Sequence, residues 1–233
     1  MSDLAALQKN LGVIFKDASL LEQALTHSSY INENPGSTFP SNERLEFLGD
    51  AVLGLIVSEK LYRDYPHLTE GGMTKLRSAL VRQETLARIA RIIGLGGYLY
   101  LGRGEEASGG RQKPANLACA LEAVIAAIFL DRGQSGAMEF ILKSFNAELE
   151  KAVNQGMRTD YKSELQELTQ SREQQAPAYH LIEATGPDHG KIFTVEVRLG
   201  KTVLGRGSGK SKKAAETEAA RTALERLPTN FTR

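Results

Sequence analysis

Three carboxylates spaced for a single helix face set the strongest constraint on this chain. Glu43, Glu46 and Asp50 stand at i, i+3 and i+7 within Asn42-Glu43-Arg44-Leu45-Glu46-Phe47-Leu48-Gly49-Asp50-Ala51-Val52. On a helix these positions lie a turn apart on one side. Leu45, Leu48, Val52 and Leu53 run on into Leu55, Ile56 and Val57, so the same helix must pack into a core. Acids held beside a core repel one another and resist desolvation unless a cation lies among them. Mg²⁺ is the simplest such cation, because hard divalent ions take oxygen ligands. An amphipathic helix whose acids face water satisfies the same three positions.

A second segment, Asn116-Leu117-Ala118-Cys119-Ala120-Leu121-Glu122-Ala123-Val124-Ile125-Ala126-Ala127-Ile128-Phe129-Leu130, is apolar nearly all round and reads as a central buried helix. Glu122 is its one carboxylate. Alone there it would be protonated or hydrogen-bonded, at a cost of several kcal/mol if charged and unpaired. A metal ligand is the better explanation.

Around these segments the pattern is helical up to about residue 150. Apolar residues recur at helical spacing in 4–11, 20–25, 45–57, 76–93, 117–130 and 140–149. Breakers separate them at Asn34-Pro35-Gly36, Gly71-Gly72, Gly94-Leu95-Gly96-Gly97, Ser108-Gly109-Gly110 and Arg132-Gly133. Residues 153–160 turn polar, with no apolar period, and read as a flexible linker. The period then changes: 161–171 is helical, 178–184, 192–199 and 202–206 read as strands, and 211–227 is helical again. The fold class is therefore α+β, an all-α domain followed by a small α-β-β-β-α domain.

Composition excludes little. Hydrophobic and charged contents of 41% and 24% are ordinary for a globular protein, and the net charge is +1. Residues after 158 hold 12 Lys and Arg against 10 Asp and Glu, so a nucleic-acid surface must come from local clustering. The single Cys119 leaves no intramolecular disulfide partner and fits a reducing compartment. No run of 18 apolar residues suggests a membrane partner, and the N-terminus lacks a signal pattern, so a cytoplasmic location is expected.

The run Asn42–Val52 resembles the signature helix of the ribonuclease III family, endonucleases that cut double-stranded RNA, and the resemblance extends from about Leu4 to about Leu227. The second half resembles a double-stranded-RNA-binding domain. Asp160-Tyr161-Lys162-Ser163-Glu164-Leu165-Gln166-Glu167 looks like its first helix, Gly186-Pro187-Asp188-His189 like a minor-groove loop, and Gly209-Lys210-Ser211-Lys212-Lys213-Ala214-Ala215-Glu216 like the basic start of its last helix. The implied domains are an endonuclease domain over 1–152, a linker over 153–159 and an RNA-binding domain over 160–228.

What the resemblance implies is specific. Glu46, Asp50 and Glu122 form the metal-centred catalytic group, with Mg²⁺ as the ion and Mn²⁺ as its substitute. Glu43 and Glu70 match two further acids of the catalytic valley; for Glu70 a helix N-cap is the competing reading. Similar proteins carry an Asp three residues before the Glu of the central helix, and here that position is Cys119. Sulfur is a poor Mg²⁺ ligand, so a weakened metal site is expected; a small buried hydrophobe is the plainer reading of the residue. Phe47 matches a residue that packs into the partner of a homodimer, with ordinary core packing as its alternative. Arg103 and Arg111, with Lys113, look like phosphate contacts in the loop at 103–114.

In the second domain Ser163, Gln166, Gln170 and His189 would reach the minor groove of the duplex, while Lys210, Lys212 and Lys213 would meet phosphates. Lysines at a helix N-terminus add their charge to free N–H groups, although a solvated helix end and a plain turn remain open for the lysines and for His189. His27 reads as a structural, hydrogen-bonded residue. The implied activity is hydrolysis of double-stranded RNA to 5′-phosphate and 3′-hydroxyl ends with short 3′ overhangs, in processing of rRNA and mRNA precursors. The alternative is a duplex-binding protein that cuts weakly or not at all because of Cys119.

Overall fold

A computed structural model describes residues 3–226 apart from Thr38, His67, Asp188 and His189, with the backbone alone over 154–160. The chain divides into two compact units, 1–152 and 153–233.

The first unit is helical: α1 (Leu4–Leu11), α2 (Ala18–Leu25), α3 (Ser28–Glu33), α4 (Glu43–Asp64), α5 (Glu70–Val81), α6 (Gln83–Ile93), the short α7 (Arg103–Ala107) and the start of α8 (Pro114–Glu173). Its core is α8 itself. Leu117, Ala118, Leu121 and every residue from Ala123 to Ile128 are buried. This stretch of α8, within Pro114–Val153, is long and apolar enough to cross a membrane by length and composition, and burial within the unit accounts for its apolarity.

The helix α4 turns Leu45, Val52, Leu53, Ile56, Val57 and Leu61 inward. At Gly49 it crosses α8 backbone to backbone: a Cβ there would lie 1.8 Å from the carbonyl oxygen of Glu122. Only glycine permits this approach, which explains why a residue that weakens helices sits in the middle of one.

Three boundaries differ from the sequence reading, the first being Gly71-Gly72, expected as a breaker and found inside the first turn of α5. The segment 76–93 is two helices, not one, because Arg82 adopts an extended conformation (φ −69°, ψ 150°) between α5 and α6. No Gly or Pro marks that break. In addition, the backbone of α8 is helical through 153–160, where polar composition suggested a flexible linker. The break at Gly133 (φ 69°, ψ −173°) falls where the sequence placed it.

In the second unit β1 (Ala178–Thr185), β2 (Ile192–Leu199) and β3 (Thr202–Gly209) form an antiparallel sheet in the order β1-β2-β3. The helix α9 (Lys212–Arg226) packs on it through Ala215, Ala219, Ala220 and Ala223, joined by Leu165, Val195 and Val197. Small residues on both sides set the spacing; a Cβ at Gly207 would lie 2.1 Å from the Ala219 nitrogen. The predicted α-β-β-β-α order holds, with β3 three residues longer than the strand pattern indicated. Leu227, placed in the last helix from sequence, lies outside the described residues.

Candidate active site

The crossing at Gly49 assembles the acids. Glu46 and Asp50 flank Gly49 on α4, and Cys119 and Glu122 occupy successive turns of α8. Glu122 is half-buried, and its carboxyl is pushed up to about 7 by burial first and then by the negative charges of Asp50 and Glu46. At neutral pH its protonated form is therefore populated. The Cys119 thiol is half-buried beside it and hydrogen-bonds Glu46. Burial raises its pKa to about 12, aided by that bond and by the charges of Glu46 and Glu122. A neutral thiol thus occupies one corner of an acid cluster.

Mutual repulsion and desolvation are what a divalent cation relieves, so the donor set suits a hard ion. Among the described residues no three His, Cys, Asp or Glu side chains close into a ready-made metal cage.

Three comparisons with known proteins bear on this geometry. Residues 17–149 match the family described as Ribonuclease-III-like, and residues 161–227 match the Double-stranded RNA binding motif. The chain is 53% identical over 232 residues to Ribonuclease 3 of Dehalococcoides mccartyi, covering 100% of this chain and 98% of that one. The chain belongs to the ribonuclease III family. A second Ribonuclease 3, from Borreliella burgdorferi, is 46% identical over 226 residues, covering 97% of this chain and 92% of its own. The nuclease domain of ribonuclease III from Campylobacter jejuni, solved with attention to a region involved in dimer formation, superposes with a TM-score of 0.58 at 41% identity. It covers 62% of this chain and 97% of its own. Ribonuclease III proteins are double-strand-specific, metal-dependent endoribonucleases, and this chain carries both their nuclease and their RNA-binding domains.

The remaining predicted residues of this ribonuclease III chain fall in distinct settings. Glu43 is exposed and accepts a hydrogen bond from the Ser41 hydroxyl at 2.7 Å. Glu70 is exposed in the first turn of α5 and accepts one from the Thr74 hydroxyl at 3.0 Å. The N-cap of that helix is Thr69, whose hydroxyl accepts from the Gly72 N–H at 3.2 Å, so the capping alternative for Glu70 does not hold. Neither Glu43 nor Glu70 is among the charges that shift Glu122. Phe47 is 81% exposed, which excludes core packing within the chain, and Leu55 and Tyr62 continue an exposed apolar stripe along α4.

In the loop at 103–114, Arg111, expected at a phosphate, holds its guanidinium against neighbouring groups of the chain. It donates to Glu106 at 2.5 and 2.7 Å and to the carbonyls of Gly96, Gly97 and Leu99 at 2.9–3.2 Å. Lys113 similarly donates to Glu105 and Ser108, each at 2.8 Å. Arg103 is exposed, while its backbone N–H is held by Glu33 at 2.8 Å. His27 is structural as expected: its Nδ1 lies 2.8 Å from the Ser29 hydroxyl and caps α3.

In the second unit Gln166 and Gln170 are exposed and Ser163 half-buried, all on one face of α8. Lys210, Lys212 and Lys213 are exposed around the start of α9, where the Ser211 hydroxyl accepts the Ala214 N–H at 3.2 Å. His189 lies outside the described residues. Gly49 was missed from sequence as a site-building residue, although a glycine inside a buried helix was the available signal.

Proposed function

We propose that this chain hydrolyses double-stranded RNA with Mg²⁺ held by Glu46, Asp50 and Glu122, Mn²⁺ serving as a substitute. The observation that carries the reading is the α4–α8 crossing, where three acids are pressed together and one is pushed up to about 7. The bound ion would polarise the scissile phosphate and lower the pKa of an attacking water. The chain's own part is to concentrate negative charge at one point and to keep Glu122 poised near neutrality. Glu43 and Glu70, exposed on the same domain, serve RNA engagement, and Arg103 is the loop's phosphate contact. Cys119 occupies a ligand position with a neutral thiol and weakens the metal site.

Two chains act together as a homodimer. The exposed stripe of Phe47, Leu55 and Tyr62 supports this, as does the dimer-forming region of the Campylobacter jejuni domain. Ser163, Gln166, Gln170 and His189 meet the minor groove, and Lys210, Lys212 and Lys213 meet phosphates. Products carry 5′-phosphate and 3′-hydroxyl ends with short 3′ overhangs, and the cellular substrates are cytoplasmic rRNA and mRNA precursors.

A second reading, duplex binding with little cleavage, is favoured by the protonated Cys119 in the acid cluster. Incubating the purified protein with a long perfect RNA duplex and Mg²⁺, with EDTA controls and end-group analysis, separates the two. Short duplexes with 5′-phosphates that vanish with EDTA support the nuclease; tight binding without products at any Mg²⁺ concentration supports the second reading.

A further inference from the structure

A small cluster links the helices that carry the two faces assigned to RNA in the second unit. Lys162, next to Ser163 on α8, donates to Glu216 on α9 at 2.6 Å. The same ammonium sits 4.3 Å from the centre of the Tyr179 ring on β1. Tyr179 carries a buried hydroxyl without a hydrogen-bond partner among the described residues, so its ring is held by packing and by this cation. Glu216 stands three and four residues after Lys213 and Lys212, the spacing at which a helix carboxylate ordinarily pairs with a lysine. Lys162 takes it instead, and neither Lys212 nor Lys213 has an ion pair among the described residues.

We propose that Lys162 is a positioning residue for duplex binding: by pairing with Glu216 it keeps that carboxylate from neutralising Lys212 and Lys213, so the phosphate-facing charge stays undiminished. The inference rests on the reading that those two faces contact the duplex.

The test is a double-mutant cycle on the full chain, with duplex affinity read by fluorescence anisotropy in EDTA and folding checked by circular dichroism. K162M keeps the apolar stem over Tyr179 and removes the charge. It weakens binding about twofold to fivefold, the scale of one part-exposed ion pair. E216Q alone stays near wild type, K162M/E216Q returns close to E216Q, and K162R retains affinity. Equal losses in K162M and K162M/E216Q would mean that Lys162 itself touches phosphate and would overturn the proposal, as would an unaffected K162M. K212Q/K213Q isolates the underlying reading. No loss there overturns the duplex-contact assignment itself, whereas loss there with none in K162M overturns only the role of Lys162.

Discussion

Two carboxylates, one in each unit, are handled in opposite ways. Glu196 on β2 is buried and gripped by arginines: Arg198 at 2.6 Å and Arg206 on the neighbouring strand. Hydrogen bonding from Arg198 leads the causes that hold its pKa below the usual carboxylate range. Glu122 is half-buried with no such partner among the described residues, beside Asp50, Glu46 and a neutral thiol, and its pKa rises to about 7. An acid that only supports a fold is given cations by its own chain. An acid left among other acids keeps its charge unbalanced, and on the proposed function a divalent ion supplies the balance.

The largest effect that could break this contrast is on catalysis. E122Q should lower cleavage of duplex RNA by about 10²–10³-fold, since one metal-bound interaction is worth several kcal/mol. Duplex affinity measured in EDTA should stay within about twofold. Comparable loss of binding would show Glu122 to be a general structural residue. G49A comes next. Its Cβ would meet the Glu122 carbonyl at 1.8 Å, so chemical denaturation should show about 1–3 kcal/mol or more of lost stability together with lost cleavage. Unchanged stability would mean that α4 and α8 do not cross there.

C119D sharpens the comparison by adding a fourth acid. It should bind Mg²⁺ about tenfold more tightly and be less stable without metal, as read by thermal melting with and without the ion. If metal affinity is unchanged, the three carboxylates alone define the site. E196Q should have the smallest effect. It strips the counter-charge from two arginines and lowers the melting temperature of the RNA-binding unit, leaving cleavage at saturating RNA intact.

Much of this was legible from residue patterns. Apolar spacing found α4 and the core stretch of α8, because burial on one face leaves a 3.6-residue trace, and strand alternation found β1, β2 and β3. The acids of the site were legible for the same reason that they are costly: carboxylates are rare beside a core. Other features left no local trace. The break at Arg82 depends on tertiary packing, and Arg111 looks like any loop arginine until its acceptors on Gly96, Gly97 and Leu99 are seen. The helical backbone of 153–160 left no apolar period to read. The long-range pairing of Lys162 with Glu216 spans 54 residues and is invisible to any periodicity.

The most direct test of the central claim is to count protons as metal binds. Glu122 has a folded pKa raised above its unfolded value, so without metal its contribution to stability is greatest below about pH 4.5. That contribution declines as pH rises to about 7. A divalent ion that binds the ionised form must expel the proton that Glu122 still holds at neutral pH. In a pH-stat titration at pH 7, adding Mg²⁺ should release protons from the wild type and close to none from E122Q. Equal release from both proteins, or none from either, would contradict the assignment of Glu122 to the metal site.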